Sequence, residues 1–442
     1  MKKTIVLMAL GLVLSVGSMA QGKLPAKTYN SGFSIAHDTY NAISVASDGN
    51  VYYVLSSQSI DTGGIMYSFN PKTGKVKLVG DLTEACGEKG LKTISQGKSH
   101  VKFVESKGKL YFGTHVGYYS MVDGMEKMGI PPAGYKEYPG GHFLSYDLKT
   151  AKFEDLGLAP RKEGILTMSM DTARGMMYAI TWPTGYFITC DVKSKIVREI
   201  EPVSGEGEDG RGAAFRTLCR AIAIDPTTGN AYMTNSEGAI LKYTPGASRL
   251  VRIDEDMKKD YFGLYDPSSP GHMGYNWRQI VWSPVAKAFF GVHGNSGYLF
   301  KFDPKDERIT VLDRITSQPS KETGMFDQFS YGYLGFIFGP DNKTLHYLTG
   351  GPVIVNGKRV KGKDKTAMGE AKGLEDLHLV TYNVMTHHYV DNGAIFYSNG
   401  DRPLYVNSIA VGKDGTIYTL ARITENGHTR TDLVSIASPL KK

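Results

Sequence analysis

The chain has 442 residues, with 51 Lys and Arg against 44 Asp and Glu, for a formal charge of +7. Its lysines are spread through turns such as Asn70-Pro71-Lys72-Thr73-Gly74-Lys75, which argues against nucleic acid as a partner and suits an anionic ligand without requiring one. Cys86, Cys190 and Cys219 are an odd set without metal-like spacing. A Cys190–Cys219 bridge and buried free thiols both fit, and a catalytic thiol fits least.

Residues 1–20 read as an export signal: Met1-Lys2-Lys3, an apolar run from Thr4 to Val16, then Gly17-Ser18-Met19-Ala20 before Gln21. The run is too short to span a bilayer. No cysteine follows the cleavage point, so no lipid anchor is expected. The expectation is a periplasmic or secreted protein without membrane insertion. Losing Lys2 and Lys3 with the signal leaves a charge of +5, 49 basic against 44 acidic residues.

From residue 21 to 442 one pattern recurs: an alternating strand, a Gly/Asp/Asn turn, and a second strand rich in Tyr, Val and Leu. In chain order it is SVASDGNVYYV (44–54), FVESKGKLYFG (103–113), MDTARGMMYAI (170–180), IDPTTGNAYMT (224–234), WSPVAKAFFGV (282–292), FGPDNKTLHYL (338–348) and VGKDGTIYTLA (411–421). Most copies are followed by a second hairpin, as in MYSFNPKTGKVKLVG (66–80), FLSYDLKTAKFEDLG (143–157) and YFITCDVKSKIVREI (186–200). Two antiparallel hairpins per repeat make a four-stranded sheet. Seven such sheets give an all-β fold, a seven-bladed β-propeller occupying 21–442 as one domain. A β-sandwich would not repeat one unit seven times, and a β-helix would repeat at a shorter period. Six or eight blades also fit if the segment 28–42 completes the last blade. Two insertions interrupt the rhythm, 114–141 and the Gly- and Lys-rich 350–377, and loops of that length in a compact fold usually carry function or move.

Antiparallel order places the loop before a blade's first strand and the loop after its second strand on one face. The first class holds His100 in Gly97-Lys98-Ser99-His100, Arg216 and Arg220 in Phe215-Arg216-Thr217-Leu218-Cys219-Arg220, and Tyr275 and Arg278 in His272-Met273-Gly274-Tyr275-Asn276-Trp277-Arg278-Gln279. Residues 326–333 occupy the same position one blade on. The second class holds His115 in Thr114-His115-Val116-Gly117-Tyr118-Tyr119, Tyr186 after Thr181-Trp182-Pro183-Thr184-Gly185, and His293. His142 opens a third strand in Gly140-Gly141-His142.

Singly, such residues are more often packed and hydrogen-bonded than catalytic. Their convergence on one face costs desolvation that function usually explains. No Gly-x-Ser-x-Gly elbow, His-Glu-x-x-His motif or carboxylate pair stands out, so serine hydrolase, zincin and two-carboxylate glycosidase chemistry lack support. Arginines can neutralise a substrate carboxylate, while His and Tyr move protons. That combination suits β-elimination from a uronic acid.

The stretches GKSHVKFVESKGKLYFGTHVGYY, PGGHFLSYDL, TWPTGYF and FRTLCR resemble the propeller polysaccharide lyases that act on glucuronate-containing polymers, namely the ulvan lyases and L-rhamnosyl-α-1,4-glucuronate lyases. They are also similar to a related propeller family of α-L-rhamnosidases. The resemblance covers most of 21–442, with its specific motifs in blades two to five. It implies cleavage of the L-rhamnose-α-1,4-D-glucuronate linkage of acidic plant or algal glycans. On this resemblance His115, His142 and Tyr186 match the catalytic His/His/Tyr set. His100 is an alternative to either histidine, Arg216 or Arg220 matches the first substrate-binding arginine, and Arg278 the second, with Tyr275 and His293 beside them. The rhamnosidases imply a histidine on the opposite face, sought at His37 and near Gln58. The remaining histidines, His346, His378, His387, His388 and His428, read as structural. The partner expected is an acidic poly- or oligosaccharide carrying glucuronate and rhamnose, with the chain acting as a monomer. No cofactor is required, and no Zn²⁺ or Ca²⁺ ligand spacing is legible, though a structural cation in the central channel stays open. A non-catalytic carbohydrate-binding propeller is the reading from another class.

Overall fold

The computed structural model describes residues 23–439 apart from 123–124, 263–264, 269–273, 294–295, 324–334, 357, 361–374 and 426–427. Residues 1–20, read above as an export signal, His272, residues 326–333 and most of the Gly- and Lys-rich insertion therefore lie outside the described residues.

Each sequence repeat folds into a run of four antiparallel strands. The first sheet is Ile43–Val45, Val51–Leu55, Ile65–Asn70 and Lys75–Asp81, and the second is Val104–Ser106, Lys109–Gly113, His142–Asp147 and Lys152–Leu158. The third contains Gly164–Asp171, Met176–Trp182, Tyr186–Asp191 and Val197–Pro202. The fourth runs from Ala223–Ile224 to Val251–Asp256, and the fifth from Gln279–Ser283 to Arg308–Arg314. Eight further strands form one sheet holding two such runs. One is Phe336–Phe338, Thr344–Pro352, Glu375–Asn383 and His388–Tyr397; the other is Ala410–Val411, Ile417–Glu425, His428–Ile436 and the N-terminal Leu24–Thr28.

Leu24–Thr28 joins the two halves: it pairs antiparallel with His428–Ile436 (Ala26 opposite Ile436) and parallel with His388–Tyr397 (Leu24 opposite Ile395). The completing strand thus precedes the expected segment 28–42. That segment instead runs irregularly towards the axis, where Thr39 donates to the Tyr405 carbonyl and Asn407 donates to that of Thr39.

First strands touch around a ring: Gly164–Asp171 meets Ala223–Ile224, which meets Gln279–Ser283, then Phe336–Phe338, Ala410–Val411 and Ile43–Val45. Second strands are packed on both faces between neighbouring sheets, so Val51–Leu55 and Ala288–Val292 are buried at every position. This is why they read as unbroken apolar runs rather than alternating ones. Fourth strands face solvent and carry Lys and Glu.

The turns between third and fourth strands repeat one device. Asn70, Asp147, Asp191, Asp303 and Asn383 each accept the N–H two residues on, and the residue four positions on is left-handed: Gly74, Ala151, Lys195, Glu307 and His387. All three cysteines are buried and free; the bridge considered for Cys190 and Cys219 does not form. Among the described residues no helix is long and apolar enough to cross a membrane.

Candidate functional site

The site is built where Gly97–His100 runs beside Thr114–Gly117. Lys98 and His115 form a two-way backbone bridge, Lys98 N–H to the His115 carbonyl at 3.1 Å and His115 N–H to that of Lys98 at 2.8 Å. The approach depends on missing side chains. A Cβ on Gly97 would sit 2.6 Å from the Ser57 carbonyl oxygen, one on Gly117 would run into the same oxygen, and Gly97 already accepts the Ser57 N–H. The loop before a first strand and the loop after a second strand therefore meet on one face, as strand order requires.

His115 is buried with its ring 5.4 Å from both His100 and Trp182. It lies over Gly164, where an added Cβ would sit 2.9 Å from the imidazole. Its Nδ1 lies 2.9 Å from the Val116 carbonyl, an acceptor, so Nδ1 carries the proton and Nε2 keeps its lone pair in the neutral ring. That Nε2 is buried and makes no hydrogen bond among the described residues. Burial, then the Lys98 charge, hold His115 well below the ordinary imidazole range; the Val116 bond opposes them. Burial, Lys98 and His115 likewise depress His100, whose ring packs 4.6 Å from Tyr40. Both histidines are neutral at pH 7.

Lys98 is 3% exposed. Its Nζ lies 4.0 Å from the Tyr40 ring centre and 4.4 Å from that of Tyr119. Burial pushes its pKa down to about 7, with Arg220 adding to the shift and Glu126 and Glu208 opposing it. Sequence reading passed over this residue. The available signal was the two-residue period of an extended segment, which puts Lys98 and His100 on the same side.

The hairpin Tyr119–Val122/Met125–Met128, which folds the 114–141 insertion, spans this face. Tyr119 donates to the Val116 carbonyl at 2.8 Å, and Lys127 donates to the carbonyls of Glu208 and Asp209. Glu208, also missed from sequence, organises the far wall. It accepts from Arg220 at 2.7 Å, Trp182 Nε1 at 3.0 Å and the Leu218 N–H at 3.1 Å. The Arg278 charge, from the loop just before the fifth sheet, bears on His100. His37 is here too, not on an opposite face: Lys98 and Glu126 both act on it, and it neighbours Asp38, the partner of Arg422.

Other expected residues are placed differently. His142 is a clamped cation, with Nδ1 2.9 Å from Asp155, Nε2 2.8 Å from Glu88 and 8% of its side chain exposed. Burial alone would lower its pKa, but the two carboxylates outweigh that and raise it to about 9. With both nitrogens bonded to carboxylates, neither ring nitrogen offers a lone pair while this clamp holds. Tyr186 lies under the Arg161 guanidinium, 3.9 Å from its ring, and Arg161 is paired in turn with Glu199. Arg216 is held at the rim by Glu237 at 2.5 Å and by the carbonyls of Ala213 and Phe215. Tyr275 accepts from the Tyr265 N–H at 3.0 Å, and His293, fully buried, contacts Ser296 Oγ at 2.8 Å and the Gly274 carbonyl at 3.3 Å. Among the described residues no group of three or more His, Cys, Asp or Glu side chains comes together as a metal site.

The fold is that of a β-propeller. The β-propeller domain of Cps50 (Swd1) from Myceliophteria thermophila superposes with a TM-score of 0.50 at 8% identity, covering 93% of this chain and 99% of that one. A chain of the mitotic checkpoint complex gives a TM-score of 0.50 at 10% identity over 98% of both chains. An oligogalacturonate lyase in complex with manganese matches at 10% identity and a TM-score of 0.48, over 96% of this chain and 99% of that one. No protein-family model matches the chain, and no curated protein matches it.

Proposed function

We propose that this protein is an exported polysaccharide lyase that cleaves the L-rhamnose-α-1,4-D-glucuronate linkage by β-elimination on the face carrying His115. In this reading the eight-stranded sheet counts as two blades, seven in all. The observation that carries it is His115: a neutral imidazole with its tautomer fixed by Val116 and an Nε2 lone pair that has no hydrogen bond among the described residues. Around it stand Lys98, Arg220 and Arg278, cations suited to a uronate carboxylate.

The arginines neutralise the carboxylate and so acidify the C5–H, His115 removes that proton, and the C4–O4 bond breaks to leave rhamnose and a 4,5-unsaturated uronate. The sequence resemblance supplies the linkage. Incubation with a rhamnose-capped glucuronate glycan tests the reading through the near-ultraviolet absorbance of the unsaturated product. Rhamnose release without that chromophore would replace it with an α-L-rhamnosidase.

A further inference from the structure

We infer that Lys98 is the general acid that protonates the departing O4 oxygen. This rests on the lyase reading above and assigns the second proton transfer, which that reading leaves without a donor.

A lysine this deeply buried is ordinarily paired with a carboxylate. Lys98 Nζ makes no ion pair and no hydrogen bond among the described residues; it is held by the faces of Tyr40 and Tyr119. Ring faces stabilise the ammonium but accept none of its three N–H bonds in the way a carboxylate would, so the protons stay available to an incoming oxygen. The backbone bridge ties Lys98 directly to His115, and Tyr119 touches both side chains, with its hydroxyl 3.4 Å from His115 Nδ1. Acid and base are thus carried on adjacent extended segments. In a glucuronate ring the C5–H and C4–O4 bonds project from the same side, so one cluster can serve both. An ammonium titrating near neutrality gives up its proton far more readily than an ordinary lysine.

The step balances without a co-reactant. His115 Nε2 takes the C5 proton, the freed pair forms the C4–C5 double bond, the C4–O4 bond breaks, and O4 takes a proton from Lys98. Imidazolium and amine are left, and one proton passing from His115 to Lys98 restores the starting state.

Two substrates separate acid catalysis from the other roles of a buried lysine: a rhamnosyl glucuronide, whose leaving alcohol needs a proton, and a glucuronide bearing a 4-nitrophenyl ether at O4, whose leaving phenolate does not. Lys98→Met is expected to lose about 10²–10⁴-fold in kcat on the first and to stay within a few-fold of wild type on the second. Activity on the aryl ether also shows that the variant is folded. Lys98→Arg keeps the charge but not the dissociable proton and should behave like Lys98→Met. Equal losses of Lys98→Met on both substrates, retained activity on the rhamnoside, or recovery in Lys98→Arg would each overturn the assignment. Failure of the wild-type enzyme to form unsaturated uronate from either substrate would instead overturn the lyase reading itself.

Discussion

His142 and Asp155 meet at 2.9 Å where the third strand of the second sheet begins, and the arrangement recurs in the eight-stranded sheet as His378 and Asp391 at 3.0 Å, with the same separation of 13 residues. In both places the aspartate also accepts a glycine N–H two residues on, Gly157 or Gly393, and the strand pairing shifts register alongside. A histidine–aspartate pair that reappears at the same bulge in another repeat belongs to the scaffold. With the clamp by Glu88, this repetition is the ground for expecting His142 to hold the sheet rather than to move protons.

The His142 clamp makes a pH-dependent contribution to stability. The folded-state pKa of about 9 exceeds the unfolded value near 6.5, so the contribution is fully present below about pH 6.5 and is lost as pH rises through 9. Denaturant unfolding at pH 6 and pH 9.5 should show wild type losing on the order of 2 kcal/mol relative to His142→Gln. His142→Phe should cost about 3–5 kcal/mol at pH 7, because Glu88 is left buried without its cation. Turnover per folded molecule should stay within a few-fold of wild type in His142→Gln; a loss of several orders of magnitude would return His142 to the catalytic set.

Gly164 provides the space under His115. Gly164→Ala places a methyl 2.9 Å from the imidazole, and the ring must move from the Val116 carbonyl that fixes its tautomer. Turnover should fall at least about 10-fold, since small displacements of a reacting group are costly, with melting temperature lowered only modestly. Unchanged kcat in Gly164→Ala would show that the position of the His115 ring does not limit the reaction.

The fold was legible because each repeat carries its own turn chemistry: the hairpins announced by Asp48-Gly49-Asn50 and Lys107-Gly108-Lys109 form where expected, as do the other five. Closure by Leu24–Thr28 was not, since a short strand with one buried residue of five has no pattern of its own and is defined by its neighbours. The face was legible for the same reason as the blades, because strand order follows from hairpins. Individual roles were not: Glu88 lies 54 residues from His142, and whether a histidine meets a carboxylate or an apolar wall is decided by such distant partners. Lys98 was hidden by its type, because a lysine in a loop is usually solvated and only packing shows that this one is enclosed by Tyr40 and Tyr119.

Lys98 should weaken the fold that contains it. Its folded pKa of about 7 lies below the unfolded value near 10.4, so between those values the unfolded chain binds more protons and stability rises with pH. Lys98→Met removes the penalty. The variant should be more stable than wild type by on the order of 3 kcal/mol at pH 6, with the gap closing towards pH 10.5. The charged and titratable groups around Lys98 are Glu126, Glu208, Arg220, His37, His100 and His115. Glu126→Gln should therefore enlarge the penalty, since that carboxylate opposes the shift. A Lys98→Met variant less stable than wild type at pH 6 would mean that the two tyrosine faces more than offset desolvation of the ammonium.

Ring closure rests on Leu24–Thr28, which is bonded on both edges: Ala26 lies opposite Ile436 on one side and Tyr397 on the other. Further support comes from Tyr29, whose N–H bonds the Leu433 carbonyl and whose hydroxyl lies 3.1 Å from Ser435 Oγ. A variant whose chain begins after Thr28 loses the ladder on both edges, at roughly 1 kcal/mol net for each bond, or about 5 kcal/mol in all. It also exposes the edges of His388–Tyr397 and His428–Ile436 for pairing with other chains. Guanidinium unfolding should show the loss, and light scattering should show association on mild warming. Supplying a peptide of residues 23–29 should restore much of the stability, because the vacated groove is built from two preformed strand edges. A truncated chain as stable as the full one would mean that the ring is held by its first strands alone.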